Sequence, residues 1–179
     1  LNEGASWRYG VKVYNADGEV VREATVEKCV EGSKSIDGKD YKRLTTKTLS
    51  GTNLRAPDQH YRHTGDGIFA AVEGVRGKEL LVFPGDPDSQ RSWTAAAPPV
   101  IKRVAAKVDV QAEVTCGEQV YQDCVYVDLD MVMRGGGFFS PSEVPVRIER
   151  WFAPGVGMVR ERRTADGQVI DAVLTSHTR

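Results

Sequence analysis

Two histidines and two aspartates crowd one short stretch of this chain. The segment DQHYRHTGD carries Asp58, His60, His63 and Asp66. Imidazole nitrogens and carboxylate oxygens are the ligands of an open zinc site. Such a centre generates a metal-bound hydroxide and hydrolyses a substrate with it. The spacing works against convergence. On a straight strand residues 60 and 63 point to opposite faces. The four groups therefore meet only if the segment bends. Without a bend it is a surface hairpin with two solvated histidines.

Other chemistry is sparser. The chain has no Gly-x-Ser-x-Gly elbow to present a nucleophilic serine. Asp128 and Asp130 share one strand face, two residues apart. Outward-facing acids on an amphipathic strand are the ordinary case, and a glycosidase pair needs a deep cleft. No catalytic residue and no cofactor is expected, and the chain is not read as an enzyme. The three cysteines are Cys29, Cys116 and Cys124. An odd count fits no complete disulfide framework. Cys116 and Cys124 flank a short connection and are candidates for a disulfide. Strict alternation places Cys116 inward with Val114 and Cys124 outward with Tyr126. A bond between them needs a bulge.

Binding has its own candidates. MRGGGFFSPSEVP, residues 133–145, is a glycine-rich loop holding Phe138 and Phe139. It lacks the lysine and hydroxyl pair of a phosphate loop. Loops on a rigid sheet often carry recognition. Phe138, Phe139 and Trp151 are accordingly the candidate ligand contacts.

These residues need elements to position them, and the elements read as strands. In KVDVQAEVT, residues 107–115, Val108, Val110, Ala112 and Val114 fall on one face and charged or polar residues on the other. VYVDLDMVM, residues 125–133, repeats the pattern, and WRYGVKVY, residues 7–14, does so again. Side chains alternate sides along a strand, so each run is a half-buried strand. Asp-Gly turns punctuate the runs at residues 16–19, 36–39, 64–67 and 165–168. Asp-Gly supplies the positive φ angles of tight hairpins. The segment RIERWFAPGVGMVRERR, residues 147–163, is a corner of this kind. Val146, Ile148 and Arg150 share one face, while Arg147, Glu149 and Trp151 share the other. Pro154 and Gly155 suit the two central positions of a type II turn.

The expected fold is all-β and mainly antiparallel, with roughly nine or ten strands. A short helix or irregular crossover is allowed for at residues 85–99. A sheet of that size curls, so a curved meander or half-open barrel is expected, as one domain over residues 1–179. Hydrophobic residues make up 40% of the chain and charged residues 27%, an ordinary globular balance. A net charge of -1 leaves no basic excess for nucleic acid. No apolar run approaches the length of a spanning helix. The chain starts at Leu1 rather than Met, consistent with a removed export segment.

WFAPGVGMVRER resembles the W-[YF]-A-P-G-V-G-[LM]-V-[KR] segment of a group of bacterial secreted proteins and lipoproteins of unknown function. EGASWRYGV is similar to that group's early strand. ELLVFPGDPDSQRSW and VDVQAEVTCGEQVYQDCVYVDL resemble its middle and its paired strands. The resemblance implies export to the periplasm or cell surface, with a lipid anchor or peripheral membrane association among the options. It supplies no catalytic residues. By analogy alone, the implied fold is similar to the curved sheets of periplasmic lipoprotein carriers. The leading expectation is a non-enzymatic envelope protein, a binding or structural module holding a lipid or other apolar molecule in a curved sheet. The alternatives are a metal-assisted hydrolase built on residues 58–66 and an assembly protein that pairs through its sheet edges.

Overall fold

The computed structural model describes residues 2–54, 56–72, 75–135 and 142–178; the side chains of residues 111, 112 and 135 are not described. The fold is all-β and antiparallel, with no helix among the described residues. The strands are β1 (Ser6–Tyr14), β2 (Val20–Ile36), β3 (Lys39–Gly51), β4 (Gln59–Thr64), β5 (Gly67–Ala71) and β6 (Glu79–Pro84). The second half adds β7 (Ser92–Ala97), β8 (Ile101–Cys116), β9 (Gln119–Gly135), β10 (Ser142–Ala153), β11 (Gly157–Ala165) and β12 (Gln168–Thr178). They form one 12-stranded sheet in the order β6-β5-β4-β3-β2-β1-β12-β11-β10-β9-β8-β7. Twelve strands exceed the nine or ten expected. No helix occupies residues 85–99, where β7 carries alternating burial in SWTAAA.

The sheet is two six-strand meanders sewn together where β1 pairs with β12. Right-handed twist accumulates over so many strands and curls the sheet into a nearly closed barrel. The two edge strands, β6 and β7, come together at the seam. There Trp93 Nε1 donates to the Leu81 carbonyl oxygen at 3.1 Å. Tight turns set the register of the hairpins. Asp37 and Gly38, like Asp166 and Gly167, both have positive φ, as a two-residue Asp-Gly turn requires.

Two apolar clusters fill the interior. One unites Val104, Ala106, Val108, Val127, Leu129, Val146 and Ile148 from β8, β9 and β10. The other unites Tyr9, Val11, Ala24, Val26, Val159, Ala172 and Leu174 with Val114, Cys116 and Cys124. The long β8–β9 hairpin thus reaches back to the strands around β1. Cys116 Sγ donates to the Val159 carbonyl oxygen at 3.4 Å.

Cys124 corrects the alternation argument. It is fully buried, in the same cluster as Cys116, rather than outward beside Tyr126. Asp123 carries a φ of 52° and disrupts the strand at that point. The irregularity turns the next side chain into the core. All three cysteines are nonetheless free thiols, so the Cys116–Cys124 disulfide is not formed. Burial raises the pKa of both buried thiols above the ordinary cysteine value.

Candidate site: a charged cavity inside the barrel

The 147–163 corner builds one wall of an apolar cavity inside the barrel. Val156 N–H donates to the Ala153 carbonyl at 3.2 Å, and Gly155 takes the positive φ of the turn. On β10 the alternation expected from sequence holds. Arg150 and Phe152 face the cavity, while Trp151 lies between them on the opposite side. β11 answers with Met158 and Glu161. A register shift opposite Trp151 and Phe152 lets both Met158 and Glu161 reach this wall.

β1 and β2 continue the wall. Trp7 Nε1 donates to the Val156 carbonyl at 2.8 Å, and Tyr9 Oη donates to the Met158 carbonyl at 2.9 Å. These two bonds tie the first strand to the far end of the chain and satisfy polar atoms that would otherwise be stranded in the interior. Lys28, from β2, brings its ammonium to 5.3 Å above the Tyr9 ring, within cation–π range.

The facing wall comes from β3 to β6. Leu44, Ile68, Val82 and Phe83 give it an apolar surface, and Tyr61 and Gln59 a polar margin. Tyr61 Oη donates to Gln59 Oε1 at 3.0 Å. Phe83 meets Phe152 edge to face with ring centroids 4.9 Å apart, so the two walls touch at one end of the cavity. The space enclosed is about 140 Å³ and partly open to solvent.

Three ionised side chains share this interior. Arg150 Nε donates to Glu161 Oε2 at 2.6 Å, and Lys28 Nζ lies 3.9 Å from Glu161 Oε1. Burial alone would raise the Glu161 carboxyl. The charges of Lys28 and Arg150 and the hydrogen bond from Arg150 outweigh it and hold the pKa at about 2. Burial pushes the Tyr9 and Tyr61 hydroxyls up, so both are neutral.

A second carboxylate ties the other half of the sheet together. Glu79, at the start of β6, accepts two bonds from Arg62 at 2.9 and 3.0 Å and one from Tyr41 Oη at 2.6 Å. Lys39 pairs with it as well. The Arg62 hydrogen bonds dominate and, with those of Lys39 and Tyr41, hold its pKa at about 2 against desolvation. This hub links β3, β4 and β6 and does not line the cavity.

The residues singled out from sequence fare differently. Asp58 sits 3.7 Å from Arg43 in an exposed ion pair. His60 stands opposite Arg43 in the β3–β4 register, and exposed His63 stands opposite Ile68 in the β4–β5 register. Asp66 lies in the β4–β5 turn, its N–H bonded to Thr64 Oγ1 at 3.2 Å. Among the described residues no group of three His, Cys, Asp or Glu side chains gathers as a metal site would require. The segment is a regular hairpin without the bend that convergence needs. Trp151 is not a cavity residue. Its ring packs 5.1 Å from that of Tyr126, with Arg160 at 5.4 Å from its centroid. Phe138 and Phe139 lie outside the described residues.

Sequence reasoning missed Lys28 and Glu161. The signal was a charge on an apolar parity. Ala24, Val26 and Val30 are buried on β2, and Lys28 interrupts their series.

No family model matches the chain, and no curated protein matches it either. Solved structures do. A lipoprotein candidate from Parabacteroides distasonis is similar over 99% of this chain and 96% of its own, at 15% identity and a TM-score of 0.54. A candidate exported protein from Bacteroides fragilis with a YmcC-like fold covers 99% of this chain and 97% of its own, at 14% identity and a TM-score of 0.49. The first likeness shows a shared fold.

Proposed function

We propose that this chain is an exported envelope protein that binds a lipid-like or other apolar small molecule inside its barrel and carries out no catalysis. The observation that carries the reading is the partly open cavity of about 140 Å³ between apolar walls. Protein interiors are close-packed, and a void of this size forfeits packing energy unless something fills it. Ligand sites are concave and mostly apolar, with a few polar groups that fix orientation. Leu44, Ile68, Val82 and Phe152 supply the first property, and Lys28, Arg150 and Tyr61 the second. The described lining residues include no serine, cysteine or histidine, which favours binding over nucleophilic chemistry. The envelope location draws support from the sequence resemblance to bacterial secreted proteins and from the fold shared with a lipoprotein candidate.

Native mass spectrometry of the purified protein, compared with its denatured mass, tests the reading. A bound small molecule is expected as an added mass that vanishes on denaturation. Toluene, a neutral apolar probe of one ring, should also bind in titration calorimetry. Ile68→Trp, which fills the cavity, should remove both signals while circular dichroism stays that of the parent. A bare native mass together with no toluene binding would overturn the proposal.

A further inference from the structure

The cavity's ionised groups do not balance. Lys28 and Arg150 are cations, and Glu161 is the one acid among the described lining residues. Glu161 is ionised, so the interior is left with one uncompensated positive charge. Arg150 donates its Nε–H to Glu161 Oε2 at 2.6 Å, so one acid serves this cation. Lys28 Nζ donates no hydrogen bond among the described residues. It has Glu161 Oε1 at 3.9 Å and the Tyr9 ring at 5.3 Å. Its side chain is 14% exposed and that of Arg150 is 11% exposed, so bulk water solvates neither fully. A poorly hydrated cation without a full counter-charge is unfavourable, and an anion that pairs with both removes that penalty.

The volume limits what the anion carries. An engineered apolar cavity of about 150 Å³ in another protein binds benzene. The space here, about 140 Å³, takes one ring or a chain end of similar bulk. Resting on the binding role proposed above, we infer that the cavity selects a monoanionic amphiphile. Its carboxylate sits against Lys28 and Arg150, and its benzene-sized apolar end lies among Leu44, Ile68, Val82 and Phe152. Arg offers a planar fork suited to a carboxylate, and Lys adds a point charge.

The test is titration calorimetry with two near-isosteric probes, phenylacetate and 2-phenylethanol, at neutral pH. Phenylacetate is expected to bind at least ~10-fold more tightly, because a charge-assisted hydrogen bond exceeds a neutral one. Lys28→Met should lower phenylacetate affinity by a similar factor and leave the alcohol's affinity unchanged. Glu161→Gln, which removes the competing carboxylate, should strengthen phenylacetate binding. Equal affinities for the two probes in the parent protein would overturn the charge selection and leave the binding role standing. Neither probe binding would overturn both. Should Lys28→Met unfold, Lys28→Gln and the parent protein's own preference decide the matter. A preference that survives loss of the lysine charge would sink the placement of the head group.

Discussion

Arg150 and Glu161 stand directly opposite each other on β10 and β11 and meet at 2.6 Å on the inner wall of the barrel. The pair sits on the face that Val146 and Ile148 bury, so its worth depends on both members staying. Removing one partner leaves a charge in a poorly hydrated place. Replacing both with apolar side chains leaves none.

Arg150→Met alone and Glu161→Met alone are therefore expected to destabilise by about 3 kcal/mol each. The Arg150→Met/Glu161→Met double variant should recover most of that loss. Urea denaturation of the four proteins closes the cycle. Additive losses would show that the pair is not coupled.

Acid should weaken the fold through two carboxylates at once. Glu79 and Glu161 are both held at about 2, below their ordinary 4.5. A depressed folded pKa gives stability that is fully present above the unfolded value and is lost as pH falls through the folded one. The melting temperature should drop steeply between pH 4.5 and 2. Glu79→Gln should lower stability at neutral pH and flatten that acid slope. A parent melting temperature constant over this window would contradict the assignment.

Gly67 opens β5 with a φ of +138°, and a Cβ there would meet the Phe83 carbonyl oxygen at 2.2 Å. The obstacle is backbone, so relief requires moving β6. Gly67→Ala is expected to destabilise by about 3 kcal/mol or more, which thermal unfolding would read. A loss below about 1 kcal/mol would mean that the β5–β6 ladder yields easily.

Trp93 closes the seam with a side-chain bond to Leu81, where other neighbouring strands share a ladder. Trp93→Phe removes the donor and keeps most of the ring. Global stability should fall by about 1 kcal/mol. Amide exchange should rise selectively in β6 and β7. Uniformly faster exchange would show that the bond supports the whole sheet rather than its edges.

The strands themselves were legible because burial on one face writes itself into every second residue. Val108, Val114, Val127 and Ile148 fall where period two requires, while Val110, on the same parity as Val108, is exposed. The corner at Pro154 and Gly155 was legible from turn chemistry, and alternation separated Trp151 from Arg150. The cavity was not. Trp7, Lys28, Ile68, Arg150 and Glu161 come from five different strands, and the curvature that gathers them belongs to the whole sheet. Cys124 was missed for a more local reason. One residue with positive φ, Asp123, resets the alternation, and no hydrophobic pattern announces it.

The pairing of β1 with β12 also decides how the chain finds its shape. Every other ladder joins strands that follow one another, so each zips from its own turn. The bond from Thr175 Oγ1 to the Arg8 carbonyl spans 167 residues, and its ladder bears the largest loop-closure entropy in the molecule. Late docking of two preformed meanders is the expected folding order, with high contact order concentrated in one place. Cutting the chain between β6 and β7 and linking its ends through a short loop keeps every ladder and turns the distant one into a hairpin. That permuted chain should refold faster than the parent in a stopped-flow experiment, while its unfolding rate changes little.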